Sequence, residues 1–387
     1  RHVLGSRGLG DVYKRQFVWL PILVALFIGA YFSITAIPST HMKVNDLPIA
    51  IVNEDQGTTG KNLTKQITTK NSSNSSKMSI KWTVFNSQKD LLKEMNKEKY
   101  YGAIVIPKNF SSNLQSLMTP NPKKAKLKII INQGMGTTIT TQVNTALTEM
   151  THQINTALGK QLLQTLSKKM PAIPAEMASN LTNPLTIETE KINKTGDLAN
   201  GGAHFFQSVW LGCLGTSMLL GFAFSKIKFK SLREKFSAFG VQLLSAIISS
   251  FVIGYGVIYL QSTILNVTIP NFTLLGLFLS LCAFSFIIFI NGVESWVGLI
   301  SIPIFMLLLF FAAPLLTAIP ESLNGFYSTL SNWLPMSYMY RGVKSIMYFN
   351  NSPSQSIIMG LIYTIIVGLI LVISAQFKKD KKKEVDA

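Results

Sequence analysis

The segment FVWLPILVALFIGAYFSITAI, residues 17–37, contains no charged side chain. A transmembrane α-helix needs about 20 consecutive, mostly apolar residues to cross a bilayer, so this segment predicts a membrane span. Five further segments have the same character and cover residues 205–224, 236–261, 273–291, 296–319 and 357–376. The chain is 48% hydrophobic and only 14% charged, a composition typical of membrane proteins. We therefore expect a polytopic α-helical membrane protein with six transmembrane helices, one before and five after a long polar segment.

Basic residues near the ends of the spans predict the orientation of the chain, because cytoplasmic connections carry an excess of Lys and Arg. The connection after the second span contains Lys226, Lys228, Lys230, Arg233 and Lys235. The tail after the sixth span, residues 377–387, contains Lys378, Lys379, Lys381, Lys382 and Lys383. Both places are expected in the cytoplasm, which puts residues 38–204 outside the cell.

The net charge of +18 predicts contact with membrane lipid headgroups or wall polymers. Nucleic acid is not an expected partner, because no basic stripe is interleaved with stacking aromatic residues. The two cysteines, Cys213 and Cys282, fall in predicted spans, so the outer segment cannot be stapled by disulfides. With the richness in Lys, Asn, Ile and Ser, this indicates a bacterial cell membrane.

The outer segment alternates strand-like and helix-like stretches, which predicts a small extracellular α/β domain. The expected strands are LPIAIV, KWTVFN, YGAIVIP and AKLKIIIN. The expected helices are TTGKNLTKQI, SQKDLLKEMNKEKY and KNFSSNLQSLM. Thr58 or Thr59 is expected to cap the first helix, and Ser87 the second, with Asp90 at the third helical position.

Residues 142–170 carry an apolar stripe that predicts one long amphipathic helix, which we interpret as a stalk or a hairpin arm. The apolar positions recur at spacings of three and four; they are Val143, Leu147, Met150, Ile154, Leu158, Leu162 and Leu166. Pro171 is expected to end this helix. The stretch from there to Gly202, rich in Pro, Asn and Gly, is interpreted as a linker that returns to the membrane.

Two adjacent acids, Glu54 and Asp55, follow the first expected strand. In an extended chain they point to opposite sides, and no nearby His or Cys completes a metal site. We interpret them as turn residues near the start of the following helix, whose dipole favours negative charge. The alternative is an outward-facing contact with a cation or a partner. A third acid, Glu294, lies in an expected inner turn, NGVESW, either solvated or as a second contact for an inner partner.

The sequence lacks the signatures of common enzymes. Gly60-Lys61 and Gly159-Lys160 lack the spacing of a phosphate loop, and there is no nucleophile elbow, His-Glu-x-x-His or Cys-x-x-Cys motif. His41, His152 and His204 are far apart, and each is expected to be a solvated surface residue. We expect no catalytic site, no metal and no cofactor in this chain, with ATP hydrolysis in a partner subunit.

The first 16 residues, RHVLGSRGLGDVYKRQ, differ from the rest and hold three of the five arginines in the chain. They resemble a translated sequencing-adapter or assembly artefact, and we exclude them from the fold argument.

Three stretches resemble, in this order, the outer domain of the YhgE/Pip and ABC-2 type permease families. They are AIVNEDQG, YYGAIVIPKNFSSNL and LKIIINQGMGTT. The first carries the family-like positions Asn53, Glu54, Asp55 and Gly57. The layout of one span, a large outer domain and five spans is also similar, and the resemblance covers residues 17 to about 376.

A further stretch, NWLPMSYMYRGVKSIM from Asn332, resembles the Leu-Pro-x-(Ser/Thr)-Tyr segment before the last span of ABC-2 permeases. By this resemblance Pro335, Tyr338 and Arg341 occupy family positions, while Gly342 is expected to interrupt the helical run. The stretch is also interpreted as an interfacial helix with Trp333, Tyr338 and Tyr340 at headgroup depth.

The resemblance implies a permease subunit of an ABC-2 type exporter, which moves an unidentified substrate out of the cell. It implies a homodimer or a paired permease and a separate ABC ATPase subunit. The connection SKIKFKSLREKFSAF is similar in place to a coupling helix that docks on the ATPase, through Lys230, Arg233, Glu234 and Lys235. Its basic residues alternatively reflect ordinary positive-inside topology. The alternative function is a YhgE/Pip-like surface protein that serves as a phage receptor or a secretion-system scaffold without transport.

Overall fold

The structure is a computed structural model that describes residues 7–40, 44–69, 78–119, 121–168, 175–196, 198, 201–225, 227 and 229–378. Side chains are described for these residues except 7–18, 36, 38–40, 175, 176 and 225. Several sequence-based expectations fall outside the described residues; they concern His41, Pro171, Lys226, Lys228 and the lysines after Lys378. The expected artefact is covered in part, because the first helix begins at Arg7.

A five-stranded sheet forms the centre of the α/β region. Its strands are β1 (Val44–Asn53), β2 (Met78–Phe85), β3 (Gly102–Ile106), β4 (Ala125–Asn132) and β5 (Leu185–Ile192). The order is β2-β1-β3-β4-β5, and of the pairs between these described strands only β3–β4 is antiparallel. The four predicted strands are confirmed. Strand β1 lies between β2 and β3 and is covered on both faces, which explains why it is a continuous apolar run rather than an alternating one.

Helices cover both faces of the sheet. They are α2 (Thr58–Thr69), α3 (Gln88–Asn96), α4 (Phe110–Ser116), α5 (Thr137–Ser167) and α6 (Ala175–Thr182). Ile49 and Ile51 of β1 belong to the core under α2, α4 and α5, whereas Ala50 and Val52 face α3. All four are fully buried, and each large aliphatic side chain contributes about 1.5–3 kcal/mol. The period of two along β1 therefore divides the core into two layers.

The segment before Gly202 is not the linker that its composition predicted. It contains α6 and β5, and β5 extends the sheet by pairing in parallel with β4 from Ala125↔Leu185 to Asn132↔Ile192. As an edge strand, β5 has few buried side chains. Leu185 is buried, whereas the charged residues are exposed. This is why its sequence, LTIETEKI, lacks the apolar run of a central strand.

The helix starts partly match their predicted caps. Ser87 precedes α3, and its side chain accepts a hydrogen bond from the Lys89 backbone N–H at 3.2 Å. Asp90 lies in the first turn, as predicted. The caps predicted for α2 are wrong, because the helix already includes Thr58 and Thr59. The long amphipathic helix corresponds to α5, which begins at Thr137.

The remaining helices form a bundle. They are α1 (Arg7–Thr40), α7 (Gly201–Ser225), α8 (Leu232–Ile264), α9 (Phe272–Val297), α10 (Ser301–Thr317), α11 (Gly325–Trp333), α12 (Pro335–Phe349) and α13 (Gln355–Gln376). Helix α9 is central and packs against α7, α8 and α13. Small residues let the backbones approach: a Cβ on Gly292 of α9 would lie 2.8 Å from the Gly368 carbonyl oxygen of α13.

Four helices of the described chain are long and apolar enough to cross a membrane. These segments are Gly201–Phe224, Leu232–Ile264, Phe272–Val297 and Gln355–Gln376. Two shorter apolar helices cover Trp19–Thr35 and Ser301–Thr317, where the first and fifth spans were predicted. The chain is thus a mostly helical membrane protein with an α/β region.

The segment NGVESW, where a turn was expected, is the last part of helix α9, and the turn follows it. Helix α9 continues to Val297, and Gly298, with a φ of 80°, ends it. This left-handed conformation costs glycine little, because it has no Cβ. The charge of Glu294 suggested a turn, but the side chain is 8% exposed inside the bundle. A Cβ on Gly221 of α7 would lie 1.8 Å from a Glu294 carboxylate oxygen, so the missing side chain of Gly221 makes room for it.

Candidate functional site

The α/β region rests on α12 through the side chain of Glu98, which follows α3. One carboxylate oxygen of Glu98 lies 2.7 Å from the Lys344 ammonium nitrogen, and the other accepts a hydrogen bond from the Ser345 hydroxyl. Glu98 has a φ of 61°, a conformation that costs a non-glycine residue about 1–2 kcal/mol. The two bonds to α12 help to hold this strained residue in place.

Further contacts secure the same junction. The Asn351 side-chain amide donates to the Asn96 carbonyl oxygen at 2.8 Å. Tyr348 of α12 donates its hydroxyl to the Leu198 carbonyl oxygen and accepts from the Gly201 N–H at 2.8 Å. Burial raises the pKa of Tyr348 to about 12, so the phenol stays protonated at neutral pH. One helix thus contacts the α/β region, the start of α7 and the chain that joins them.

A cavity of about 780 Å³ lies between the α/β region and helices α10 to α12. Its sheet side contains Tyr101, 2% exposed, whose hydroxyl donates to a Glu321 carboxylate oxygen at 2.7 Å. Burial, followed by the charge of Glu321, raises the pKa of Tyr101 well above its usual range. The volume is that of an ordinary small-molecule site, which spans about 300–1,000 Å³.

Arg341, one of the family-like positions, lines this cavity. Its Nη2 donates to the Asn332 side-chain oxygen at 2.6 Å and to the Ser331 carbonyl oxygen at 3.3 Å. Burial lowers the pKa of the guanidinium, although the group remains charged at neutral pH. Both partners of Arg341 among the described residues are neutral, so the group brings a positive charge to the cavity wall.

The other family-like positions of this segment shape the α11–α12 corner. Pro335 is the first residue of α12, where its missing N–H has no cost. The Tyr338 hydroxyl donates to the Asn332 carbonyl oxygen at 3.2 Å. Gly342 does not interrupt the helix as expected: α12 runs through it, and a Cβ there would lie 2.1 Å from the Phe278 ring of α9. The glycine therefore permits close packing against α9.

The three aromatic residues predicted at headgroup depth do not share one environment. Trp333 is 81% exposed at the end of α11. Tyr340 instead packs on α7, where a Cβ on Gly202 would lie 2.7 Å from its ring, and burial raises its pKa. Trp333 is therefore open to its surroundings, whereas Tyr340 is covered by a neighbouring helix, and the placement of these residues at headgroup depth stays a prediction.

Side chains of the β1–α2 turn bond within the turn and to the starts of α3 and α4. The Asn53 side-chain oxygen accepts from the Asp55 N–H at 3.0 Å. Glu54 accepts from the Gln88 N–H at the start of α3 at 2.9 Å. Asp55, 4% exposed, accepts from the Ser111 N–H at 3.2 Å and from its hydroxyl at 2.5 Å, near the start of α4. A Cβ on Gly57 would lie 2.4 Å from the Ser111 side chain.

The two acids do point to opposite sides, as predicted. Glu54 accepts a hydrogen bond at the start of α3 and Asp55 accepts hydrogen bonds near the start of α4, whereas the prediction placed both acids at the start of the following helix, α2. Crossovers from neighbouring strands bring these starts to the carboxyl end of β1, where helix dipoles favour negative charge. Within the described part of the chain, no group of His, Cys, Asp and Glu has the arrangement of a metal site.

The connection between α7 and α8 lies at the end of the bundle opposite the α/β region. Ser231 caps α8 by accepting from the Glu234 N–H at 3.3 Å, and the Glu234 carboxylate accepts from the Lys230 N–H at 2.8 Å. This is close to a capping box. Lys230 and Arg233 are exposed, while Lys235 donates to the Lys378 carbonyl oxygen at 3.4 Å.

The tail of α13 is held at the same end. Lys378 donates to the Trp296 carbonyl oxygen at 3.0 Å, and its ammonium lies 5.6 Å from the centre of the Trp296 ring. Helices α8, α9 and α13 therefore meet beside the predicted coupling residues. Away from this end, His152 and His204 are exposed, and Cys213 and Cys282 are buried free thiols.

Sequence reasoning missed four residues of the junction, which are Glu98, Tyr101, Glu321 and Lys344. One signal was available. Arg341 and Lys344 are three residues apart on one face of α12. No acid lies nearby in this stretch, so any acidic partner of the two must come from a distant part of the sequence. The acid that pairs with Lys344 lies 246 positions earlier in the chain, and no local pattern identifies it.

The family model described as "Protein of unknown function (DUF3533)" matches residues 20–375. Among curated proteins, the uncharacterised protein YhgE of Bacillus subtilis is 29% identical over 135 residues. That match covers 32% of this chain and only 16% of YhgE. The YhgE relative bears out the resemblance to a YhgE/Pip-like family.

One solved structure is similar, a domain of a candidate ABC type-2 transporter from Thermotoga maritima. It is 26% identical, the match covers 37% of this chain and 84% of that chain, and the TM-score is 0.26. A TM-score this low supports no inference about the fold or function of this chain.

Proposed function

Since the chain belongs to the DUF3533 family, whose function is unknown, we propose that it is the membrane permease subunit of an ABC-2 type exporter. It moves an unidentified substrate out of the cell, pairs with itself or with a second permease, and takes energy from a separate ATPase. Neither catalysis nor a cofactor is assigned to this chain.

The proposal includes six spans, with α1 and α10 as the two beyond the four long apolar helices. The two helices pack together: Tyr31 donates its hydroxyl to the Leu307 carbonyl oxygen, and the Phe32 and Phe310 rings lie 5.7 Å apart. Without the expected artefact, α1 still contributes residues 17–40, and these 24 residues have a length of about 36 Å, enough to cross a bilayer. Exposed apolar side chains along α1 support its contact with lipid.

The proposed orientation puts the basic end of the bundle inside the cell and the α/β region outside. Lys230, Arg233 and Lys378 are all exposed at one end, and short basic connections stay in the cytoplasm. Helices α7 and α9 both begin at the other end of the bundle. The α/β region directly precedes α7, so in this orientation it lies on the outer side of the membrane.

The observation that carries the proposal is the exposed basic start of α8. Its backbone is fixed by Ser231 and Glu234, so Lys230 and Arg233 are presented on a firm surface rather than on a loose loop. Closure of an ATPase against this surface would tilt α8 and its neighbour α9 as rigid bodies. Helix α12 packs on α9 through Gly342 and would pass this movement to the α/β region.

A pull-down of the tagged full chain from mild detergent tests the proposal. We expect an ATPase subunit to co-purify with the original chain and to be lost with the double variant Lys230→Glu and Arg233→Glu. The matched control is Lys123→Glu with Lys124→Glu, which reverses two exposed lysines in the α/β region and should retain the ATPase. If no ATPase is recovered with any of the three proteins, the receptor or scaffold function replaces the permease.

A further inference from the structure

Two charged groups in the junction cavity have no oppositely charged partner among the described residues. Four charged side chains line it: Glu98, Glu321, Arg341 and Lys344. Glu98 and Lys344 neutralise each other at 2.7 Å. Within the part of the chain that the structure describes, Arg341 bonds only to the neutral oxygens of Ser331 and Asn332, and Glu321 only to the Tyr101 hydroxyl. The wall therefore presents one positive and one negative group that are separated from each other.

A half-buried charge without a counter-ion is stabilised when a ligand supplies one. The planar guanidinium of Arg341 is suited to an oxyanion, such as a phosphate or a carboxylate, because its donors form a rigid fork. Only one terminal nitrogen of Arg341 is used by the protein in the described hydrogen bonds. A carboxylate such as Glu321 is suited to an ammonium group. The cavity thus matches a zwitterion.

The position of the cavity indicates an amphiphile. Gly202, which lines it, lies at the very start of a helix long enough to span a membrane. Pro314 and Leu316, at the end of the apolar helix α10, form another part of the wall. Nearby, Phe326 and Trp333 of α11 are 71% and 81% exposed, the arrangement of aromatic residues at a membrane surface. A polar group in this cavity therefore lies at headgroup depth, with hydrocarbon beside it.

We propose that the junction cavity binds the zwitterionic headgroup of a membrane amphiphile, with its phosphate at Arg341 and its ammonium at Glu321. The acyl chains extend along α10 into the bilayer. This binding is a property of the chain alone and needs no ATPase, so it goes beyond the proposed transport function. Loss of ATPase binding would leave it intact.

Native mass spectrometry of the purified full chain in neutral detergent tests this inference. The probes are dihexanoyl phosphatidylethanolamine, phosphatidylglycerol and phosphatidylcholine, with inorganic phosphate as a competitor. Phosphatidylethanolamine carries a phosphate and an ammonium with N–H donors, phosphatidylglycerol lacks the ammonium, and phosphatidylcholine lacks the N–H donors. We expect phosphatidylethanolamine to bind about tenfold more tightly than the other two lipids, the value of one charge-assisted hydrogen bond.

Two variants separate the two ends of the headgroup. Arg341→Gln should weaken all three phospholipids by about tenfold, and Arg341→Lys should restore part of the loss. Glu321→Gln should remove the preference for phosphatidylethanolamine and leave phosphatidylglycerol binding unchanged. Lys124→Gln, an exposed lysine in the α/β region, should change nothing. Thermal unfolding of each variant confirms that it is folded.

Equal binding of the three lipids, unaffected by either variant, would overturn the inference. Inorganic phosphate that binds as tightly as phosphatidylethanolamine would assign the site to a soluble anion instead and would also overturn the inference. If Arg341→Gln unfolds the chain, Glu321→Gln decides the outcome alone, because the headgroup preference depends on that carboxylate.

Discussion

Glu98 and Lys344 form an ion pair of 2.7 Å between the α/β region and α12, and about a fifth of each side chain is exposed. The pair joins residues from the two halves of the molecule. Because Lys344 is one turn from Arg341, the contact that docks the α/β region also fixes the wall of the cavity. One helix therefore carries both the docking contact and part of the cavity wall.

Lys344→Met should weaken this junction. It leaves the Glu98 carboxylate partly buried without its cation, at a cost of about 1–3 kcal/mol in the free energy of unfolding. A double-mutant cycle with Glu98→Gln should give a coupling free energy of about 1 kcal/mol or more. Lys126 and Glu188, an exposed pair 2.7 Å apart, provide the control, with an expected coupling of about 0–1 kcal/mol. Equal coupling in the two cycles would contradict a structural role for the junction pair.

Gly342→Ala should destabilise the bundle by about 1–3 kcal/mol, because the added Cβ would lie 2.1 Å from the Phe278 ring. Thermal unfolding in detergent measures the effect. Gly256→Ala in α8 is the matched control: its Cβ meets nothing within 4 Å, so it should be neutral or slightly stabilising. Phe278→Leu should rescue part of the loss in the Gly342→Ala chain, and no rescue would argue against this contact as the cause.

Asp55→Ala should lower the free energy of unfolding by about 1–3 kcal/mol, because the buried Ser111 N–H and hydroxyl lose their acceptor. Asp90→Ala, whose side chain is 64% exposed, should cost about 0.5 kcal/mol or less. Ca²⁺ or Mg²⁺ should leave the unfolding temperature of the original chain unchanged. A rise in that temperature that Asp55→Ala abolishes would favour the alternative of a cation contact at this turn.

The α3 segment should contribute a pH-dependent stabilisation in the acid range. Lys97 and Lys99 lower the pKa of Glu94 from 4.5 to about 2 through hydrogen bonds of 2.6 and 2.5 Å. A lowered carboxyl pKa means that the folded state favours the ionised form. The contribution is therefore complete above pH 4.5 and disappears as the pH falls towards 2.

Glu94→Gln should flatten the pH dependence of the unfolding temperature in this window. Around neutral pH the curves of the two chains should run parallel, separated by a constant difference in unfolding temperature. Added salt should shrink the difference between the two chains, because the ammonium groups are solvent-exposed. Identical pH profiles for both chains would show that the two lysines do not stabilise the ionised carboxylate.

Local patterns predicted most secondary structure elements of this chain. Apolar runs without charge identified six of the eight described bundle helices, and strand-like runs identified β1 to β4. The patterns failed where tertiary contacts changed the environment. Strand β5 is polar because it is an edge strand, Glu294 lies inside α9 because Gly221 leaves space for it, and Gly342 lies within a helix because Phe278 needs that space.

For the candidate site, the sequence identified Arg341 and the basic start of α8 but not the cavity. Composition and periodicity by themselves determined that the chain is a membrane protein with an α/β region, because hydrophobic burial depends on patterns along the chain. Only the tertiary structure decided that Glu98 meets Lys344 and that Tyr101 meets Glu321. It also decided that Arg341 faces the cavity and that no carboxylate among the described residues pairs with it. These contacts join residues hundreds of positions apart, and the packing of the α/β region on α12 alone brings them together.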